Sequence, residues 1–305
     1  MFENNRVCQL FGISFPVIQG GMAGISESQL VSAVSEAGGL GTIGSGLMPA
    51  QWLKEEIKKT RELTKKPFAV NLFMRHPKIE ELVRVVIKEK VPIVFTGGGN
   101  PLPIFPYLKA AKIKVVPVVP SPRLAKKMED NGADAVVVEG LESGGHIGKN
   151  TTLCLVSQTK KILQKIPLIA AGGIATPKEA KAVFLLGAEG IQMGTRFLAS
   201  KECIVSENYK RKIVEATADD IDVVLEFTGH PIRVIKNAWS ERMKKLGEKA
   251  YPEEVRAEMI AGINPRTENV EEIPLMAGLS AGAIFEIKSC KEIVEEFAKE
   301  LASIQ

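Results

Sequence analysis

Eight short apolar, β-branched runs recur along the first two thirds of the chain. They are FPVIQG (15–20), GLGTIG (39–44), PFAVNLF (67–73), VPIVFTG (91–97), IKVVPVV (113–119), ADAVVVEG (133–140), IPLIAAG (166–172) and AEGIQMG (188–194). Each is hydrophobic almost without interruption, the pattern of a parallel strand covered on both faces. Between them lie charged stretches such as MPAQWLKEEIKKTREL, HPKIEELVRVVIKEK and SPRLAKKMEDNG. In the second of these, Ile79, Leu82, Val83 and Val86 share one helical face. Eight strands alternating with helices over about 200 residues predict an α/β fold, a closed (β/α)8 or TIM barrel. A doubly wound open sheet fits less well, because the even march of units shows no long crossover at a reversal point.

The pattern changes after residue 200. The stretch 201–275 is dominated by helix formers and carries charge clusters KRK (210–212) and ERMKKLGEK (241–249). It predicts a mostly helical cap beside the mouth of a barrel spanning 1–200. The segment 276–305 then returns to the barrel through a helix near 288–303.

Composition narrows the function classes. Among 305 residues, 40 basic and 36 acidic side chains leave a net charge of +4, and aromatics make up 6%. Neither a nucleic-acid groove nor a base-stacking surface is expected from that balance. Cys8, Cys154, Cys203 and Cys290 form no CxxC pair, so neither a zinc framework nor disulfides are expected. No run of about 18 apolar residues suggests a membrane span, and the start of the chain has no signal-peptide pattern. A cytoplasmic protein is the expectation.

Glycine gathers where a barrel keeps its chemistry. Strand ends carry Gly20–Gly21–Met22, Gly44–Ser45–Gly46, Gly97–Gly98–Gly99, Gly144–Gly145–His146–Ile147–Gly148, Gly172–Gly173 and Gly194–Thr195. Active sites of barrels lie at these C-terminal ends, and glycine lets backbone approach a ligand closely. Six such clusters point to a large flat ligand across the mouth. After the seventh strand, Thr176, Pro177 and Glu179 spell a capped helix start. With Gly172, Gly173, Gly194 and Thr195 this predicts a phosphate site helped by the helix N-terminus. The formal G-x-G-x-x-G of Gly39, Gly41 and Gly44 lies within a strand that follows a helix, so it does not read as a dinucleotide fingerprint.

Of the three histidines, only His146 sits in a glycine-rich loop at a strand end, which suits a general acid or a substrate-binding group. His230 divides evenly between cap packing and substrate contact, and His76 reads as structural. No metal cage is expected, since no HExxH or paired-Asp pattern exists and the histidines are scattered. Few catalytic side chains beside a phosphate cradle point to a bound cofactor. FMN fits, with one phosphate and a flat ring system. Asn71, Glu139 and Gln192, at the ends of the third, sixth and eighth strands, are candidates for its polar edges.

Ten stretches carry a family resemblance. They are PVIQGGMA (16–23), AGGLGTIG (37–44), PFAVNL (67–72), TGGGNP (96–101), VVPVVPS (115–121), ADAVVVEGLESGGHIGK (133–149), IPLIAAGGIA (166–175), GAEGIQMGTRF (187–197), GHPIRVIKN (229–237) and MAGLSAG (276–282). Together they resemble the FMN-dependent enoyl-acyl-carrier-protein reductases of the FabK type, within the nitronate monooxygenase (2-nitropropane dioxygenase) superfamily. VEG-x-E-x-GGHIGK, TGGGNP and GH-x-x-R-x-IKN resemble the reductase branch more than the monooxygenase branch. Ser143 and Leu279 depart from the usual Ala and Gln of the reductases.

The resemblance implies an oxidoreductase of fatty acid synthesis working in two half-reactions. NADH delivers reducing equivalents to FMN, and a trans-2-enoyl thioester on acyl carrier protein or coenzyme A takes them up. It implies that His146 is the catalytic residue, as proton donor or as hydrogen-bond partner of the thioester carbonyl. It implies that Gly21, Met22, Asn71, Glu139, Gly145, Ala171, Gly172, Gly173, Gln192, Met193, Gly194 and Thr195 hold FMN, with Met276 and Gly278 closing over the ring. A monovalent cation and a homodimer are further implications. The alternatives are a nitronate monooxygenase using oxygen, and a flavin-binding protein without turnover. Lys149, Lys210, Arg211, Lys212, Lys236, Arg242, Lys244 and Lys245 are candidates for a basic face toward an acidic carrier protein.

Overall fold

The computed structural model describes residues 2–246 and 264–303. The eight expected strands all form: β1 (Val17–Gln19), β2 (Gly41–Gly44), β3 (Phe68–Phe73), β4 (Ile93–Gly97), β5 (Lys114–Val119), β6 (Val136–Glu139), β8 (Leu168–Ala171) and β9 (Gly190–Met193). They run parallel in the order β1-β9-β8-β6-β5-β4-β3-β2. A bridge between Ile18 and Leu40 joins the two ends, so the sheet closes into a (β/α)8 TIM barrel.

The uninterrupted hydrophobicity of the strands has a direct cause. Alternate residues of one strand belong to two different cores. Ile18, Ala69, Phe95, Val137 and Ile169 fill the barrel centre. Their neighbours Val17, Val70, Val94, Val138 and Leu168 pack under the helices. The short helix α1 (Arg6–Phe11) joins the inner core, and its Phe11 ring lies 6.0 Å from that of Phe95.

Outer helices follow the expected stretches: α2 (Ser28–Glu36), α3 (Ala50–Leu63), α4 (Ile79–Lys88), α5 (Phe105–Ala110), α6 (Pro122–Asp130), α7 (Thr152–Ile162) and α8 (Pro177–Leu185). Thr176 caps α8 with Glu179 in the expected reciprocal box. Beyond the barrel come α9 (Thr195–Leu198), α10 (Glu207–Glu215), α11 (Ala238–Leu246) and α12 (Cys290–Ala302). The last of these packs against α8 and α2, as expected of a returning helix.

The cap differs from expectation. It carries two strands, β10 (Ile221–Val224) and β11 (Ile232–Ile235), paired antiparallel across the turn at Gly229 and His230. Their β-branched side chains bury Val224, Ile232 and Val234 against Trp239 and Met243 of α11. A third strand, β7 (Gly145–His146), completes this small sheet, with Ile232 opposite His146 and Arg233 opposite Gly145. The glycine loop after β6 is therefore pinned by the cap. The remainder of the expected cap from 247 to 263, with the end of its second charge cluster, lies outside the described residues.

No helix among the described residues is long and apolar enough to cross a membrane. The cysteines are free, and Cys8, Cys203 and Cys290 are buried thiols with raised pKa values.

Candidate active site

A cavity of about 880 Å³ opens at the C-terminal ends of the strands. That size suits a ligand of the bulk of a mononucleotide cofactor. Gly21, Met22, Asn71, Glu139, Gly145, Ala171, Gly172, Gly173, Gln192, Met193, Gly194, Thr195 and Met276 all line it, as does His146. Gly278 does not. Its N–H donates to Oγ1 of the lining residue Thr195 at 3.0 Å.

The phosphate end is built from backbone. Among the described residues, the N–H groups of Gly172, Gly173, Gly194 and Thr195 have no partner within the fold. Buried or half-buried N–H groups left unpaired are rare, and four around one corner form a ready anion cradle. Gly172 and Gly173 have φ of +92° and +71°, which turns consecutive amides toward the same side. The neighbouring helix contributes less than expected. The N–H groups of Ala175 and Thr176 donate to Glu179 at 2.7 and 2.8 Å, so a carboxylate already occupies the start of α8. Thr195 Oγ1 accepts from Gly278 and keeps its own proton free to donate.

The other walls supply polar and apolar contacts. Asn71, Glu139 and Gln192 reach the cavity from β3, β6 and β9. Burial alone drives the Glu139 carboxyl up to about 7, and its side chain has no hydrogen-bond partner in the fold. A carboxyl so placed can donate as well as accept near neutral pH. Met22 and Met276 add soft apolar surface, the latter with its sulfur beside Gly145.

His146 faces the cavity from β7. Its ring stacks on Phe73 with centroids 6.1 Å apart and planes 30° from parallel. Desolvation by the surrounding protein lowers its pKa, and positive charge at Arg75 and His230 lowers it further. The imidazole is thus neutral at pH 7, with one ring nitrogen able to donate. His230 lines the cavity in the turn between β10 and β11. His76 is buried, and its Nδ1 accepts from the N–H of Lys78, a structural role.

Several working residues escaped the sequence reading. Phe73 orients the histidine, and Arg75 and Lys127 bring positive charge to the cavity wall. Arg233 is buried and donates from Nε and Nη2 to the carbonyl of Leu141 at 3.2 and 2.9 Å. Its basic character in GH-x-x-R was the available signal. Four of the eight residues proposed for a basic face are paired with carboxylates, whereas Lys149, Arg211, Lys236 and Lys245 have no acidic partner within ion-pair distance among the described residues. Lys210 is buried on Glu207, Lys212 pairs with Glu271, Arg242 with Glu272 and Lys244 with Asp222.

The model of the nitronate monooxygenase family matches residues 4–300. A probable nitronate monooxygenase of Staphylococcus aureus (strain Newman) is 33% identical, over 90% of each chain. The structure of FabK from Thermotoga maritima superposes with a TM-score of 0.94 at 43% identity, covering 98% of this chain and 96% of that one. Nitroalkane oxidase from Streptomyces ansochromogenes superposes with a TM-score of 0.86 at 27% identity, covering 98% of both.

Proposed function

The chain belongs to the nitronate monooxygenase family, whose members are flavin-dependent oxidoreductases, and on that premise we propose that it is an FMN-dependent enoyl-thioester reductase using NADH. The observation that carries this reading is the 43% identity to the Thermotoga FabK over nearly the whole chain. The loop ESGGHIGK, whose histidine faces the cavity, supports it.

The residues present fit FMN. The free N–H groups of Gly172, Gly173, Gly194 and Thr195, with the Thr195 hydroxyl, match a single phosphate. Asn71, Glu139 and Gln192 offer hydrogen bonds to polar edges, and Met22 and Met276 exclude water from a flat ring. Bound there, the flavin would supply hydride transfer from NADH to the β-carbon of a trans-2-enoyl thioester, whose α-carbon would take a proton from solvent.

The protein's own part centres on His146. Its neutral imidazole donates a ring N–H to the thioester carbonyl oxygen, where negative charge builds as the β-carbon is reduced. Phe73 fixes the plane of that ring, and the pairing of β7 with β11 fixes its backbone. Arg75 and Lys127 give the approach to the cavity a positive character suited to phosphate-bearing thioesters of coenzyme A or acyl carrier protein.

The test is anaerobic NADH consumption by FMN-loaded protein with crotonyl-CoA. Acyl-dependent turnover is expected, and its absence overturns the reductase reading. The second reading is oxidation of alkyl nitronates, favoured by the name of the Staphylococcus aureus relative. Oxygen uptake with an alkyl nitronate and no NADH would select it.

A further inference from the structure

We propose that Glu142 is a positioning residue that ties the His146 segment to the backbone cradle of the flavin phosphate, acting through Thr152. It rests on the reading of the cavity as an FMN site. Glu142 stands four residues before His146, on the loop between β6 and β7. Its carboxylate accepts from the backbone N–H of Thr152 at 2.9 and 3.0 Å and lies 2.9 Å from the Thr152 hydroxyl. That hydroxyl in turn sits 2.8 Å from the carbonyl of Gly172 and 3.2 Å from that of Ala171. Side chains from the β6 loop and α7 thus meet the peptide whose N–H groups form the cradle.

The packing is built around this contact. A Cβ on Gly140 would collide with Thr152 Oγ1, Thr152 N and Glu142 Oε2, so glycine there is required by the bridge itself. Gly173 packs its Cα side against the Glu142 stem. The carbonyl of Glu142 accepts from the N–H of Leu279 at 3.0 Å, next to Gly278, whose own N–H holds Thr195. Arg233, which clamps the carbonyl of Leu141, lies close enough for its charge to interact with that of Glu142. Glu142 therefore reaches both halves of the cradle, its carboxylate through Thr152 to the loop after β8, and its backbone carbonyl through Leu279 and Gly278 to Thr195 after β9.

Proton counting says how the bridge responds. The Thr152 hydroxyl has one proton and three acceptors in reach, so Glu142 and the Gly172 carbonyl compete for it. A phosphate drawing on the Gly172 and Gly173 N–H groups shifts that peptide, and the competition passes the shift to the loop.

The test reads FMN affinity of flavin-free protein by fluorescence quenching, together with hydrogen exchange of residues 140–150. In the wild type, FMN is expected to protect that segment. Glu142→Ala should bind FMN about tenfold more weakly, the value of one or two such bonds, and leave the segment exchanging freely with FMN bound. Glu142→Gln should bind within about threefold of the wild type and keep the protection, because an amide still accepts from Thr152 N–H and adds the missing donor. Thr152→Val should lose the protection while retaining the fold, and it decides the matter if Glu142→Ala does not fold. Wild-type affinity and protection in Glu142→Ala or Thr152→Val, or a Gln variant as weak as Ala, overturns the proposal. Failure of the wild type itself to bind FMN would strike at the cofactor reading instead.

Discussion

At His146, what packs around the ring decides the form in which it works. Desolvation by the cavity walls first, and the charges of Arg75 and His230 second, hold its pKa below the ordinary histidine value of 6.5, although the residue itself is exposed at the mouth. The neutral imidazole then predominates at pH 7, and any limb of kcat/KM that His146 sets lies on the acid side, as pH drops through that lowered pKa. The acid limb of kcat/KM for the enoyl thioester should disappear in His146→Gln, with kcat reduced about a hundredfold. A basic limb assigned to His146 would contradict this reading. Glu139 titrates in the opposite sense. Burial raises it from 4.5 to about 7, so the folded protein holds its proton more tightly than the unfolded chain. Its favourable share is complete below about pH 4.5 and declines until pH 7, by at most about 3 kcal/mol. Thermal melts of flavin-free Glu139→Gln should therefore be flatter between pH 5 and 8, and at pH 8 higher than wild type by several degrees. A wild-type melt independent of pH in that range would remove the buried, unpaired carboxyl from the account.

Among elements, the small cap sheet does what the barrel cannot: it holds the loop after β6 over the cavity. Strands β10 and β11 were hidden because each is four residues long and sits among strong helix formers, although IDVV and IRVI are β-branched and a Gly-His turn separates them. The pairing that matters, β7 with β11, joins segments 87 residues apart, from Gly145 to Ile232, and no local pattern encodes it. The α8 cap, by contrast, was legible because every bond in it is local, from Thr176 to Glu179. That same locality hid a consequence, since a satisfied capping box spends the helix amides a phosphate might have used. Arg233→Met tests the cap's role. With the Leu141 carbonyl left unpaired, kcat for the enoyl thioester should drop about tenfold while FMN affinity holds within a factor of two. Equal losses of both would make the cap a general support of the fold.

For the molecule as a whole, the fold was legible because each barrel strand must satisfy two cores at once, and that demand writes itself into the sequence as continuous apolar runs. Charge was not, because composition cannot say which cations are spent on neighbours. Lys210, Lys212, Arg242 and Lys244 of α10 and α11 pair with Glu207, Glu271, Glu272 and Asp222, so part of the cap's positive charge is spent on neighbours. Inside the mouth, Arg75 and Lys127 have no acidic partner among the described residues. On the proposed reading, two such charges in the mouth would attract a phosphate carried by the substrate's own handle. Arg75→Gln combined with Lys127→Gln should raise KM for crotonyl-CoA about tenfold, by loss of charge-assisted contacts. The thioester of N-acetylcysteamine, which carries no phosphate, should show little change in the same variant. Added salt should raise the wild-type KM for crotonyl-CoA and have less effect on the double variant, since the screened attraction is then already gone. Equal effects on both thioesters would mean that these two side chains shape the cavity wall and do not read the charge of what enters it.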